Sequence, residues 1–233
     1  WIGTGENNSS RSTYAGSGIY KSTDGGATWE FMGLPHSQHI GQIHIHPTNP
    51  DIVWVASMGS LYSKNEERGI YKTKDGGKTW KKTLFIDDNT GVIDLKFHPS
   101  NPNIMLAASW ERFRQGHDFI GNGKGSGIWR SEDGGDSWKK SVTGFPQDEF
   151  VGRIGFDFSL SNPSVVYALH DYQKMQERPA RQNQNQNNEE LKFESFKTMS
   201  ASDVESIDND KLNKFLRSNR FANKYDAESV KKL

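Results

Sequence analysis

The chain has 233 residues, and its 29 basic and 29 acidic side chains give a formal net charge of zero, which does not favour broad electrostatic binding to nucleic acid or to an anionic membrane. It contains no Cys, which excludes disulfides and thiolate chemistry, and no apolar run approaches the roughly 18 residues of a membrane-spanning helix. The 23 glycines and the aromatic content of 12% instead fit a β-protein with tight turns and large buried rings.

One block of sequence occurs three times, beginning at Gly18, Gly69 and Gly127. Each copy reads as a strand, an Asp-Gly-Gly turn and a returning strand that opens with Thr/Ser-Trp. The Asp carboxylate is expected to accept hydrogen bonds from backbone N–H groups two or three residues on, and the indole to pack over the turn. We expect a structural role, rather than a catalytic or metal-binding one, for Asp24, Gly26, Trp29, Asp75, Gly77, Trp80, Asp133, Gly135 and Trp138.

A second repeated block spans residues 43–57, 95–109 and 156–170. It begins with a strictly alternating, half-buried strand, turns at an Asn-Pro dipeptide, and continues as a near-continuous apolar run that predicts a strand buried on both faces. Together the two blocks give four strands per repeat, labelled A to D here. In the second repeat they are expected at about 40–46, 52–57, 69–73 and 79–85. Four antiparallel strands repeated at this spacing predict the blades of a β-propeller.

The predicted fold class is therefore all-β, a partial β-propeller with two complete and two incomplete blades over residues 1–170. The chain opens on strand B of blade one and reaches strands A and B of blade four at about 151–159 and 164–170. Because a propeller closes with about four to eight blades, we expect further sequence to supply the remaining ones.

Residues 171–233 are predicted to be an insertion in the B–C connection of blade four. They begin as a polar, mobile loop of low complexity over 181–188. Short helices follow, with Asp208 capping the first and the second spanning 226–233.

The B–C connections all leave one end of a propeller, and they cover residues 6–17, 58–68, 110–126 and 171 onward. Long loops gathered on one face are a frequent location of binding or catalysis. Glycoside hydrolysis needs paired carboxylates, and the candidates are Glu6, Glu111 and Asp171. The candidate binding residues on this face are Trp110, Arg112, Arg114, His170 and Tyr172.

The residues His39, His44 and His46 are candidates for a metal site, because imidazoles are common metal ligands. The equivalents of His44 and His46 in the other blades do not repeat a ligand set. The recurrence of His46 as His98 before a turn instead predicts a hydrogen bond from each ring to that turn. We therefore predict no metal and no cofactor.

The three turns match the pattern Ser/Thr-x-Asp-x-Gly-x-Thr/Ser-Trp and resemble the Asp box, or bacterial neuraminidase repeat. With the Gly-Ile-Tyr-Lys strands and the His-Pro-Thr/Ser-Asn-Pro turns, they make residues 1–170 similar to the sortilin-like, Asp-box "glycosyl hydrolase" propellers of bacteria. The resemblance implies a secreted, periplasmic or cell-surface module, although no signal is visible in the chain. The preferred hypothesis is that this module binds a protein or glycan ligand through its B–C loop face.

Two alternatives remain open: a glycoside hydrolase of sialidase or xyloglucanase type, and a purely structural repeat array. The sialidase signature Arg-Ile-Pro is absent, since Arg153-Ile154 is followed by Gly155. No residue matches the two catalytic Asp positions of xyloglucanase-type enzymes. The resemblance thus predicts the fold and leaves enzymatic activity open.

Overall fold

The computed structural model describes residues 1–8, 13–175, 191–222 and 224–232. The chain divides into two compact units, Trp1–Met175 and Gln176–Leu233. The described part of the first unit is built of antiparallel sheets, and that of the second is helical. The low-complexity stretch predicted at 181–188 lies outside the described residues.

Blades one and two follow the predicted order of strands. Blade one begins at strand B and is a three-stranded sheet of β1 (Ile2–Gly3), β2 (Ile19–Lys21) and β3 (Glu30–Phe31). Blade two has all four strands, with each one hydrogen-bonded to the next along the chain. Its strands A to D are β4 (Ile40–Ile45), β5 (Val53–Ser57), β6 (Gly69–Thr73) and β7 (Lys81–Leu84).

Blade three is also complete, but its B–C connection forms a small hairpin that the sequence did not reveal. Strands A and B are β8 (Thr90–His98) and β9 (Asn101–Glu111). The hairpin consists of β10 (Phe113–Arg114) and β11 (Phe119–Ile120). Strands C and D are β12 (Gly127–Ser131) and β13 (Lys139–Ser141).

Blade four contains β14 (Val151–Phe158) and β15 (Val166–Tyr172), which pair with each other. The expectation that strand B is buried on both faces holds for β5, where every residue is buried, but is wrong for β15. Tyr167 and Leu169 are 72% and 81% exposed. The physical reason is that no apolar cluster within the described residues packs over this strand: the one between blades three and four includes residues of β14 and none of β15.

The Asp carboxylate of each Asp-Gly-Gly turn accepts hydrogen bonds from its own turn, as predicted. The bonds common to all three turns come from the residue four positions after the Asp, not two or three. Asp24 Oδ1 accepts from the backbone N–H of Thr28 at 2.9 Å, and Asp24 Oδ2 accepts from the Thr28 hydroxyl at 2.5 Å. Asp75 and Asp133 hold the residue four positions on in the same way. Two successive glycines with positive φ bring that residue around to face the carboxylate.

The indoles of the three turns do not share one partner. Trp29 donates to Gly26 O of its own turn at 3.1 Å, as predicted. Trp80 and Trp138 instead donate to the preceding blade, at Met32 O (2.7 Å) and Thr83 Oγ1 (3.2 Å). The turn is therefore also a contact between blades.

The hydrophobic cores lie between successive blades. One cluster joins blades two and three, and includes Trp54, Ile70, Val92 and Met105. Other clusters join blade one to blade two and blade three to blade four. Each blade buries its faces against its neighbours, which is the arrangement expected for stacked repeats.

The described part of the helical unit has a small apolar core formed by Leu212, Phe215, Leu216 and Ala227. Its helices are α1 (Phe193–Phe196), α2 (Ala201–Ser206), α3 (Asn209–Ser218) and α4 (Ala227–Lys231). The predicted cap at Asp208 is confirmed, because its Oδ1 accepts from two backbone N–H groups in the first turn of α3. No helix in the parts of the chain that the structure describes is long and apolar enough to cross a membrane.

Candidate functional site

The connections from strand B to strand C lie at the same end of the propeller as the connection from strand D of one blade to strand A of the next. Residues of the B–C connections bond the segment that leads from strand D of blade two to strand A of blade three. Asn65 N–H donates to Asp88 O (3.0 Å), and Arg112 N–H donates to Asn89 O (3.2 Å). The Asp-Gly-Gly turns lie at the other end, since Gly76 N–H donates to Asp51 O in the A–B turn (2.9 Å). We call the first end the B–C face.

A cleft of about 680 Å³ opens between the B–C connections of blades two and three. Blade two contributes Tyr62, which is 48% exposed. Blade three contributes the β10–β11 hairpin. The residues that line the cleft are Tyr62, Arg114, Gln115, Gly116, His117, Asp118 and Phe119.

Short-range bonds shape the β10–β11 hairpin, and one longer bond attaches it to blade two. Gln115 N–H donates to Asp118 O at 2.9 Å, which closes the turn. Arg114 N–H donates to Leu61 O at 2.9 Å and so holds the hairpin beside Tyr62. The Arg114 guanidinium also lies 4.4 Å from the centre of the Phe119 ring, a cation–π contact. The two walls of the cleft are therefore fixed relative to each other.

The B–C connection of blade two is built around one buried cationic side chain, that of Arg68. Arg68 is fully buried and donates to the carbonyl oxygens of Met58 (2.8 Å), Ser60 and Ser63 (3.2 Å). Burial lowers the pKa of Arg68 to about 10, although the charges of Asp87 and Asp88 oppose this shift. An arginine that satisfies three carbonyls in one connection fixes its shape without reaching the surface.

Of the candidate binding residues, Trp110 and Arg112 are not presented at the surface. Trp110 is 5% exposed, and its indole donates to Gly121 O at 2.7 Å. Arg112 is fully buried; burial lowers its pKa to about 9, and the charges of Arg68 and Arg153 act in the same direction. The sequence could not show this, because strand B was expected to end at Ser109 and both residues to lie in an exposed loop, whereas β9 continues to Glu111 and Arg112 follows it directly. Arg114 is the candidate that lines the cleft.

The other two candidate binding residues belong to blade four. The Tyr172 hydroxyl donates to Asp148 Oδ2 at 2.6 Å, which lowers the pKa of that carboxyl. His170 lies against the Tyr172 ring, with the ring centres 5.7 Å apart. Neither residue lines the cleft beside Tyr62.

The candidate catalytic carboxylates occupy separate structural settings. Glu111 Oε2 accepts from Gly125 N–H at 2.9 Å, and the same carboxylate packs closely against Gly123. Asp171 Oδ2 accepts from Gln173 Nε2 at 2.7 Å. Glu6 is half-buried, and its backbone bonds Tyr14 within the B–C connection of blade one. The cleft beside Tyr62 is lined by none of these three carboxylates.

The histidines considered for a metal site are held by hydrogen bonds. His39 is buried, with Nδ1 lying 2.7 Å from Gly59 O. His46 Nδ1 accepts from Thr48 N–H and His98 Nδ1 from Ser100 N–H, each at 3.3 Å, which confirms the predicted bonds to the turn. Within the described ranges, no group of three or more His, Asp or Glu residues is placed to hold a metal ion.

The family model described as "Sortilin, neurotensin receptor 3" matches residues 17–224. The chain belongs to the Sortilin-Vps10 family. This confirms the sortilin-like recognition, and the match runs through the propeller blades and into the helical unit. The family match covers both walls of the cleft.

Known relatives of this Sortilin-Vps10 chain carry two kinds of name. A vacuolar protein sorting/targeting protein 10 of Kluyveromyces lactis is 33% identical over 112 residues, which is 40% of this chain and 7% of that protein. A xyloglucanase of Acetivibrio thermocellus is 24% identical over 143 residues, or 57% of this chain and 15% of that protein. The chain spans only 6% to 17% of the length of the curated relatives it matches.

The fold comparison agrees with the propeller prediction. A crystal structure of an ancestral GH74 enzyme matches with a TM-score of 0.50 and 23% identity, covering 67% of this chain and 20% of that one. The predicted all-β, partial propeller is therefore confirmed. At this identity the likeness concerns the fold of the Sortilin-Vps10 chain and not its chemistry.

Proposed function

We propose that the chain is part of an exported sortilin-like propeller that binds a glycan or protein ligand in the cleft of the B–C face. The observation that carries the proposal is the composition of this cleft. An exposed ring, Tyr62, stands opposite the amide, imidazole and carboxylate side chains of Gln115, His117 and Asp118. A ring that covers apolar surface beside groups that donate and accept hydrogen bonds is suited to a polar ligand with apolar faces.

Preorganisation supports the same proposal. The Arg114–Leu61 backbone bond joins the two walls, and buried Arg68 fixes the connection that carries Tyr62. A ligand that enters a fixed cleft loses less free energy to ordering of the protein. Completion of the propeller by further blades belongs to the same proposal, as does a secreted, periplasmic or cell-surface location.

The test is calorimetric titration of the chain with a glycan panel that includes xyloglucan oligosaccharides, chosen because two relatives are named xyloglucanases. We expect Tyr62→Ala to weaken binding about tenfold, since one well-packed ring contributes about 1.4 kcal/mol. Tyr167→Ala is the matched control, because that ring is 72% exposed and lies on β15. Equal losses in the two variants, or binding that survives Tyr62→Ala unchanged, would exclude the cleft as the site.

Glycoside hydrolysis is the second candidate, favoured by the two xyloglucanase relatives. It needs two carboxyl groups about 5 to 10 Å apart on either side of the scissile bond. Glu6, Glu111 and Asp171 are the proposed carboxylates, although Glu111 is engaged by Gly125 N–H. Release of reducing sugar from xyloglucan that disappears in Glu6→Gln or Asp171→Asn would favour this function over binding alone.

A further inference from the structure

A lysine and a tryptophan of one blade contact the Asp-Gly-Gly turn of the next blade. Gly134 O accepts hydrogen bonds from Lys72 Nζ at 2.8 Å and from Trp54 Nε1 at 2.9 Å. The ammonium of Lys72 also lies 5.2 Å from the centre of the Trp54 ring. Strands B and C of blade two therefore bind the turn of blade three.

The same arrangement occurs one blade earlier. Lys21 Nζ donates to Gly76 O at 3.3 Å and lies 5.3 Å from the centre of the Trp1 ring. A Cβ added to Gly77 would lie 2.5 Å from that ring, so turn and ring are in close contact. At both junctions, a lysine of strand C donates a hydrogen bond to the carbonyl oxygen of the first glycine in the turn of the next blade.

At the second junction the turn also inserts a carboxylate. Asp136, the residue after Gly134-Gly135, pairs with Lys72 Nζ at 2.9 Å and with Lys74 Nζ at 3.1 Å. The residues Lys72, Lys74, Thr79 and Lys81 of blade two, together with Asp136, line a small pocket of about 190 Å³. We call these four residues of blade two a socket.

The equivalent residues of blade three form an open cleft of about 550 Å³. The blade-three socket consists of Arg130, Glu132, Ser137 and Lys139, each 58 residues after its counterpart in blade two. Every residue that lines this cleft belongs to blade three. Arg130 pairs with Glu132 of the same socket at 2.7 Å, and both side chains are largely exposed. Since Lys140 adds a further positive charge, the lining has an excess of cations.

We propose that the blade-three socket is the docking site for an Asp-Gly-Gly turn that completes blade four and carries a carboxylate where blade three carries Asp136. Arg130 takes the place of Lys72, donates to the first glycine carbonyl and pairs with that carboxylate. A second copy of this chain does not fit, because its exposed turn carries Ala27 in that position. The inference rests on the completion of the propeller by further blades, which is part of the proposed function, and not on ligand binding at the B–C face.

The experiment adds to the full chain a hairpin peptide in which the sequence of residues 131–138 is flanked by two added cysteines joined in a disulfide. The side-chain Nε–H signal of Arg130 is followed by NMR. We expect saturable binding, and at least about fivefold weaker binding of the same peptide carrying Asp136→Lys, as for the loss of a partly buried ion pair. Equal affinity for the two peptides would overturn the proposal, as would self-association of the chain that depends on Arg130.

Three variants sharpen the test. Arg130→Ala is expected to abolish binding of the acidic peptide, and Glu132→Gln to strengthen it severalfold by releasing Arg130 from its present partner. Lys197→Ala is the matched control, since it removes an exposed cation from the helical unit. Binding that survives Arg130→Ala, or that Lys197→Ala weakens equally, would show that the peptide meets general positive charge and not the socket.

Discussion

The indole nitrogen of Trp54 donates a hydrogen bond of 2.9 Å to the carbonyl oxygen of Gly134, a residue 80 positions later in the chain. The bond links strand B of blade two to the turn of blade three. Because Trp54 is 1% exposed, its N–H has no access to water and needs this partner. The blades are therefore joined by directional bonds as well as by apolar packing.

The close approach of Trp54 to the turn predicts a large cost for a methyl group at Gly135. A Cβ at this position would lie 2.6 Å from Trp54 Nε1, and the residue has a φ of +78°. We expect Gly135→Ala to lower the free energy of unfolding by about 2 to 4 kcal/mol, from strain and overpacking together. Urea denaturation measures the difference.

Gly26→Ala is the matched control, because Gly26 holds the same position in the first turn with a φ of +96°. A Cβ there would meet only Trp29, at 3.7 Å. We expect a loss of about 1 kcal/mol from the backbone alone. Equal losses in the two variants would mean that the contact with Trp54 adds nothing.

The ion pair between Lys72 and Asp136 predicts a measurable coupling between blades two and three. The Lys72 side chain is 7% exposed and that of Asp136 is 37% exposed. Burial raises the pKa of Asp136, but the bonds from Lys72 and Lys74 outweigh it and leave this pKa below its ordinary value. A double-mutant cycle of Lys72→Met and Asp136→Asn is expected to give a coupling of about 1 kcal/mol.

The control cycle uses Lys64 and Asp88, which pair at 3.2 Å with 71% and 38% exposure. We expect their coupling to be at most about 0.3 kcal/mol, because solvent screens an exposed pair. Raising the salt concentration should reduce the control coupling more than the inter-blade one. A larger coupling for the exposed pair would contradict the inter-blade role of Asp136.

The elements that the sequence predicted are those with short-range causes. Asp75, Gly76 and Gly77 hold their turn within a few residues, so the pattern alone identifies it. The bond from His46 to its turn is equally local. Apolar alternation placed the strands of blade two to within about two residues.

The cleft could not be predicted, because it depends on contacts between different blades. Tyr62 and the β10–β11 hairpin come from different blades, and the bond from Arg114 N–H to Leu61 O holds them beside each other. Burial of Arg68 and Arg112 was equally hidden, since Arg usually lies at the surface. The sequence signals were the length of the connection at 110–126 and its mixed aromatic and polar content. They indicated that this loop could be functional, but not which of its residues line the cleft.

Buried His39 predicts a loss of stability at mildly acidic pH. Burial lowers its pKa from the ordinary 6.5, and the charges of Arg112 and Arg68 act in the same direction. The folded chain thus keeps the ring neutral at a pH where the unfolded chain binds a proton. The free energy of unfolding is therefore highest above about pH 6.5 and falls as the pH drops below it.

The measurement is urea denaturation of wild type and His39→Gln between pH 7.5 and pH 5, for which we expect a flatter profile in the variant. His44 adds a slope of the same sign, because burial also lowers its pKa. His36→Gln is the control, since that ring is exposed. A profile that His39→Gln leaves as steep as wild type would exclude His39 as a source of the acid sensitivity.

The bond from Gly125 N–H to Glu111 predicts that this carboxylate anchors the segment between β11 and β12. Removing a charged acceptor from a partly buried N–H costs about 1.5 to 3 kcal/mol. We expect Glu111→Ala to speed hydrogen exchange of the Gly125 amide by roughly tenfold or more, whereas Glu149→Ala, which removes an exposed carboxylate, leaves it unchanged. Unchanged exchange in Glu111→Ala, together with loss of any xyloglucan turnover, would return Glu111 to a catalytic role. Faster exchange without such a loss would establish it as an anchor.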